Sequence, residues 1–110
     1  VAVGIDEVVD TKIEMLHCHK SQFYDWLPWI GHYEDEVPEG ESARKEWLKE
    51  RRGRSWKGAA NQYRDVLIDI YGEDKGKEIT YAEGYRISGF GGRYRADQLY
   101  HYFPFLKKYQ

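Results

Sequence analysis

Cysteine is nearly missing from this chain. Cys18 stands alone among 110 residues, so no internal disulfide framework can hold the fold. A lone thiol fits a reducing setting, and a cytoplasmic location is the expectation. No apolar run reaches the about 18 residues that a membrane-spanning helix needs. No signal-peptide pattern is legible. An excess of one charge is missing too: 17 basic against 19 acidic side chains leave a net charge of −2. A nucleic-acid partner is therefore not expected. There is no repeat and no low-complexity tract.

Aromatic residues are plentiful. They make up 16% of the chain, with ten Tyr and four Trp against four Phe. Tyr and Trp combine apolar area with a polar handle, which suits a shallow core and partly wet contacts. At 110 residues the chain makes one small segment or domain, 1–110, with a core of limited depth. The opening "VAVGID" reads as a strand in mid-fold, and the expectation is a piece of something longer.

The hydrophobic pattern then predicts helices. Asp6 is placed to cap a first helix with its carboxylate. Val9, Ile13, Leu16, Phe23 and Leu27 follow at amphipathic spacing, and Pro28 should end that helix at or before Leu27. Residues 29–42 read as a loop broken by Gly31, Pro38 and Gly40. Ser42 is the expected cap of a second helix over 43–52, with Gly53 as its stop. A third helix is expected over 56–71, with Ala59, Tyr63, Val66, Leu67 and Ile70 as its stripe and Gly72 as its end. "EDKGKEI" reads as a turn, and a strand is expected within 79–87. "SGFGGRYR" reads as a glycine-rich loop. Its pattern falls short of a phosphate-binding Gly-x-Gly-x-x-Gly, since Tyr94 occupies the last glycine's place. Residues 97–109 read as a short helix or an irregular aromatic tail.

The hexapeptide "HCHKSQ", 17–22, concentrates polar chemistry. On a helix, His17 and His19 diverge by about 200°, so they cannot grip one ion. The H-x-x-x-H spacing of helical zinc sites is absent. His19 and Gln22 share a side with Met15, Leu16, Phe23 and Trp26. Two readings follow: a buried, hydrogen-bonded His–Gln pair, or a His19 that borders a pocket.

Asp6, Lys12, Met15, Leu16, His19, Ser21 and Gln22, in "DEVVDTKIEMLHCHKSQ", together with Tyr81, Ala82, Glu83, Gly84 and Tyr85, in "YAEGYRI", resemble two late motifs of the LmbE/PIG-L deacetylases. The resemblance covers about a quarter of the chain. It implies an α/β fold: a helix-rich C-terminal segment of a Rossmann-like deacetylase fold, with about three helices and short strands. It also implies a zinc-dependent hydrolase that removes N-acetyl groups from aminosugar conjugates. In that family a His and an Asp of an N-terminal His-Pro-Asp-Asp-Glu motif hold the zinc with a later His, and an Asp of the motif acts as base. Zinc acidifies the bound water and polarises the amide, and the carboxylate takes the proton.

The His-Pro-Asp-Asp-Glu motif is absent from these 110 residues. The resemblance therefore assigns no catalytic residue and no metal ligand to this chain, and the zinc would belong to the parent enzyme. His19, Ser21, Gln22 and Glu83 are left to support the pocket or an interface. The partners it implies are the N-terminal part of the same enzyme, an aminosugar-type substrate, and a homo-oligomeric contact.

Trp26, Trp29 and Tyr85 are candidates for stacking on a sugar ring, with an aromatic mini-core around 23–33 as the alternative for the two tryptophans. The basic stretch 44–57 follows the acidic stretch 34–41, which can neutralise it; a solvated helix face is its default reading. His32 with Glu34 or Asp35, and His101, are candidate metal contacts if folding gathers them, with a plain exposed or packed histidine as the default reading. A second functional class stays open: a stand-alone, non-enzymatic binding domain that uses the aromatic loop and the basic helix.

Overall fold

The computed structural model describes residues 1–86, 88–93 and 95–109. Helices dominate it. The sheet described has two short antiparallel strands, β1 (Ala2–Gly4) and β2 (Ala82–Gly84), with Val3 opposite Glu83. β2 falls within the stretch expected to hold a strand; Ile87 of that stretch and Tyr94 of the glycine-rich loop lie outside the described residues. This architecture is compatible with an α/β class.

The first helix departs from expectation at both ends. Helix α1 spans Val9–His17 and receives no side-chain cap. Asp6 instead turns its carboxylate across the chain, accepting from the amides of Thr80 at 2.9 Å and Tyr81 at 2.7 Å. It stitches the end of β1 to the start of β2, and Ile5 N–H donates to the Tyr81 carbonyl beside it. The chain breaks at Cys18 and His19, then resumes as a π-helical turn over Ser21–Trp26. Helix α2, Leu27–Gly31, continues it directly, so Pro28 lies inside a continuous helical run. An α-helical register would set the proline ring against the carbonyl four residues back. In the wider π turn the Leu27 amide reaches back five residues to the Gln22 carbonyl, which lets the run pass into Pro28. The run ends at His32, in the left-handed conformation at φ 55°.

A short 3₁₀ turn, Glu34–Glu36, interrupts the expected loop. Helix α3 then runs for 22 residues, Glu41–Gln62, from an uncapped start at Gly40. Ser42 therefore lies in its first turn rather than capping it, and Gly53 does not stop it. Gly53 is buried because the helix needs a flat spot there: a Cβ would meet the Tyr81 ring at 3.3 Å. The break comes ten residues later, at Tyr63, which divides the expected third helix between α3 and α4 (Arg64–Tyr71). Gly72 ends α4 at φ 88° as its sequence position suggests. The expected turn after it is helix α5, Glu73–Glu78. Arg64 fastens the far end of α5, donating to the carbonyls of Gly76 at 2.7 Å and Ile79 at 2.8 Å. The C-terminal stretch forms a 3₁₀ turn, helix α6 (Leu99–Tyr102) and a 3₁₀ segment, Pro104–Tyr109.

Two apolar clusters hold these elements. One joins Ala2, Ala60, Leu67, Tyr71, Ile79, Ala82 and Leu106. The other joins Ile5, Val9, Ile13, Tyr24, Leu48 and Trp56. β1 contributes to one and its continuation Ile5 to the other, so the strand pair lies at the seam between them. Among the described residues, no helix is long and apolar enough to cross a membrane.

Candidate functional site

The two stretches that carry the sequence resemblance meet at the strand pair. Lys12 on α1 forms an ion pair with Glu83 on β2, 71 positions away in sequence. The hydroxyl of Tyr85 donates to the other Glu83 oxygen at 2.9 Å. The Lys12 ammonium also lies 5.2 Å from the centre of the Trp56 ring, close enough for a cation–π attraction. Both members of the ion pair are partly buried. Burial pushes the Glu83 carboxyl up, but the hydrogen bonds from Lys12 and Tyr85 outweigh it and hold the carboxyl below the usual carboxylate range. Burial, followed by the Glu83 hydrogen bond, raises the Tyr85 phenol.

That depression sets the sign of an acid effect. A carboxylate with a lowered folded-state pKa stabilises the fold above its unfolded value, about 4.3, and the contribution is lost as pH falls through the folded value. Wild type should therefore lose on the order of 1 kcal/mol more stability than Glu83→Gln between pH 6 and pH 3. Urea unfolding at the two pH values measures it. Equal losses in the two proteins would show that the pair contributes nothing.

Tyr85 extends the cluster to a cleft. Its ring packs 5.5 Å from that of Phe103. The two rings, with Arg86 and the glycines 91 and 92, border a cavity of about 450 Å³.

The other candidates lie elsewhere. His19, Ser21 and Gln22 are all exposed, so a buried His–Gln pair does not form. The break at Cys18 and His19 and the π turn after it re-aim this stretch outward. Trp26 is 50% and Trp29 64% exposed, alongside Ile30 at 50%. Together they make an open apolar face. No hydrogen bond, ion pair or ring contact among the described residues joins this group to Glu83 or Tyr85. The aromatic stretch is thus divided: Phe23, Tyr24 and Tyr33 turn inward with Trp47, while Trp26 and Trp29 face out.

His17, beside the expected residue, is the buried histidine at 7% exposure. Its Nδ1 meets the Tyr24 hydroxyl at 2.7 Å. Its buried Nε2 has no hydrogen-bond partner, and the nearest carboxylate oxygen, on Glu41, lies 3.7 Å away. A helical period places His17 and Tyr24, seven apart, on one side, but it does not announce that this side is the buried one.

The basic face of α3 is neutralised mainly by α1. Lys45 pairs with Glu14 at 2.9 Å and Lys49 with Asp10 at 2.5 Å. Among the described residues, Arg51 with Glu36, at 3.3 Å, is the one ion pair between this face and the acidic stretch before the helix.

The donor set does not fit zinc. Among the described residues no group of three or more His, Cys, Asp and Glu side chains could hold a metal ion. His17 offers one buried nitrogen with one carboxylate near it, and that carboxylate is tied to Lys20 at 2.7 Å. Comparison with known protein families, curated proteins and solved structures returns no match for this chain.

Proposed function

We propose that this chain is the C-terminal portion of a zinc-dependent amide hydrolase of the LmbE/PIG-L type, with a Rossmann-like parent fold, acting on N-acetylated aminosugar conjugates. The observation that carries this reading is the contact between its two motif-bearing stretches. The first parts of these stretches, matched separately in sequence, touch through Lys12 with Glu83 and Asp6 with Tyr81, whereas residues 19–22 point away. Motifs that serve one site are expected to lie close in the fold. In this reading the portion supplies no metal ligand and no base. Glu83 and Tyr85 buttress one wall of the substrate cleft. His19, Ser21 and Gln22, with Trp26 and Trp29, form the face that meets the N-terminal part or a second copy.

The exposed Trp26, Trp29 and Ile30 favour one alternative: a binding domain without catalysis, which captures its partner on that same face. Zinc analysis and acetate release separate the two. The 110-residue chain alone is expected to hold no stoichiometric zinc and to release no acetate. The longest natural protein that contains it should bind zinc and release acetate from N-acetylglucosamine conjugates. His19→Ala in that protein should lower activity about tenfold at unchanged zinc content. Zinc that survives dialysis on the short chain, or no acetate release from the long one, would overturn the hydrolase reading.

A further inference from the structure

A second cleft, of about 340 Å³, is lined by residues of β1, α4, α5 and the C-terminal 3₁₀ segment. Its walls are Val3, Ile5, Val8, Ile79, Phe105 and Tyr109, an apolar lining in the size range of small-molecule sites. Its one deeply buried polar group is Tyr71, at 8% exposure. The Tyr71 oxygen accepts from the Gly4 amide at 3.0 Å. Burial raises the phenol's pKa, so it keeps its proton at neutral pH. That proton has no acceptor among the described residues. A buried phenol in this state is a hydrogen-bond donor waiting for a ligand oxygen.

The charges at the rim narrow the class. The Lys108 ammonium lies 4.9 Å from the centre of the Tyr109 ring, and Tyr109 and then the charge of Glu7 favour its protonated form. Asp6 turns both of its oxygens toward the Thr80 and Tyr81 amides. Lys75 is left with no ion-pair partner among the described residues. An apolar pocket with a phenol donor and a free ammonium is complementary to an anion with an apolar body. We infer that this cleft binds a small amphiphilic monocarboxylate, its carboxylate held by Tyr71 and Lys75 and its chain laid along Ile79, Ile5 and Phe105. This goes beyond the hydrolase reading and does not depend on it, since it concerns a different cleft.

Isothermal titration of the chain with octanoate tests it, with octanamide and inorganic phosphate as controls. Saturable one-to-one binding of octanoate is expected, at least about fivefold tighter than octanamide, and none of phosphate. Tyr71→Phe should weaken octanoate about tenfold. Lys75→Gln, at an exposed position that leaves the fold intact, should weaken it about threefold and erase the preference over octanamide. Absence of saturable binding, equal affinity for octanamide, or no response to Lys75→Gln would overturn the inference.

Discussion

Gly76→Ala should destabilise this protein by about 1–3 kcal/mol, although alanine ordinarily stabilises a helix by about 0.5–1 kcal/mol relative to glycine. The sign is decided by what lies across from α5. A Cβ at Gly76 would sit 2.5 Å from the Cα of Ile68 and 2.7 Å from its backbone nitrogen. Both are backbone atoms of α4, so no rotamer change relieves the clash. α5 would have to move away as a body, and Arg64 opposes that by holding the Gly76 and Ile79 carbonyls. Gly58, exposed in the C-terminal part of α3, is the control: its Cβ would meet nothing within 4 Å. Gly58→Ala should raise stability by about 0.5–1 kcal/mol. Thermal unfolding of the two variants beside wild type reads both signs at once. A rise in both would mean that α4 and α5 do not pack as closely as described.

Gly76 also illustrates what a sequence conceals. "EDKGKEI" has the composition of a turn, and its helix exists because a neighbour's backbone docks at the glycine. Gly53 misleads in the same way. Its local meaning is a helix stop, yet α3 passes through it because Tyr81 packs on the bare position. Gly72, by contrast, acts where local chemistry is decisive, at φ 88° after the last turn of α4. β2 was legible for a similar reason, since a Tyr- and Ile-rich stretch has few other uses. The candidate site divides along the same line. Glu83 was singled out through the motif resemblance, but its pairing with Lys12 was not legible, because neither residue's surroundings name the other. The outward turn of His19 and Gln22 was not legible, because no glycine or proline marks the break at Cys18. The period of an unbroken helix carried both residues to the wrong face.

Across that same break His17 pairs with Tyr24. Burial, the largest influence, raises the Tyr24 phenol, so the hydroxyl is neutral and able to donate to Nδ1. The other ring nitrogen, Nε2, lies 3.7 Å from the Glu41 carboxylate. Tyr24→Phe should remove the hydroxyl, leave both buried imidazole nitrogens without a hydrogen bond, and cost about 1–3 kcal/mol. His17→Leu should cost a similar amount, because the buried Tyr24 hydroxyl then loses its hydrogen bond to Nδ1. The double variant should be far less damaged than the sum of the two. With both polar partners gone, no buried group remains unsatisfied, and apolar replacements of similar shape can be nearly neutral. A coupling energy of about 1–2 kcal/mol is therefore expected from a urea-denaturation cycle. Strict additivity would mean that the π turn does not bring Tyr24 onto His17. Coupling of the expected size would give that turn a physical purpose: it shortens the reach between a buried hydroxyl and a buried imidazole, and so fixes which face of the following helix, with Trp26 and Trp29 on it, is left open.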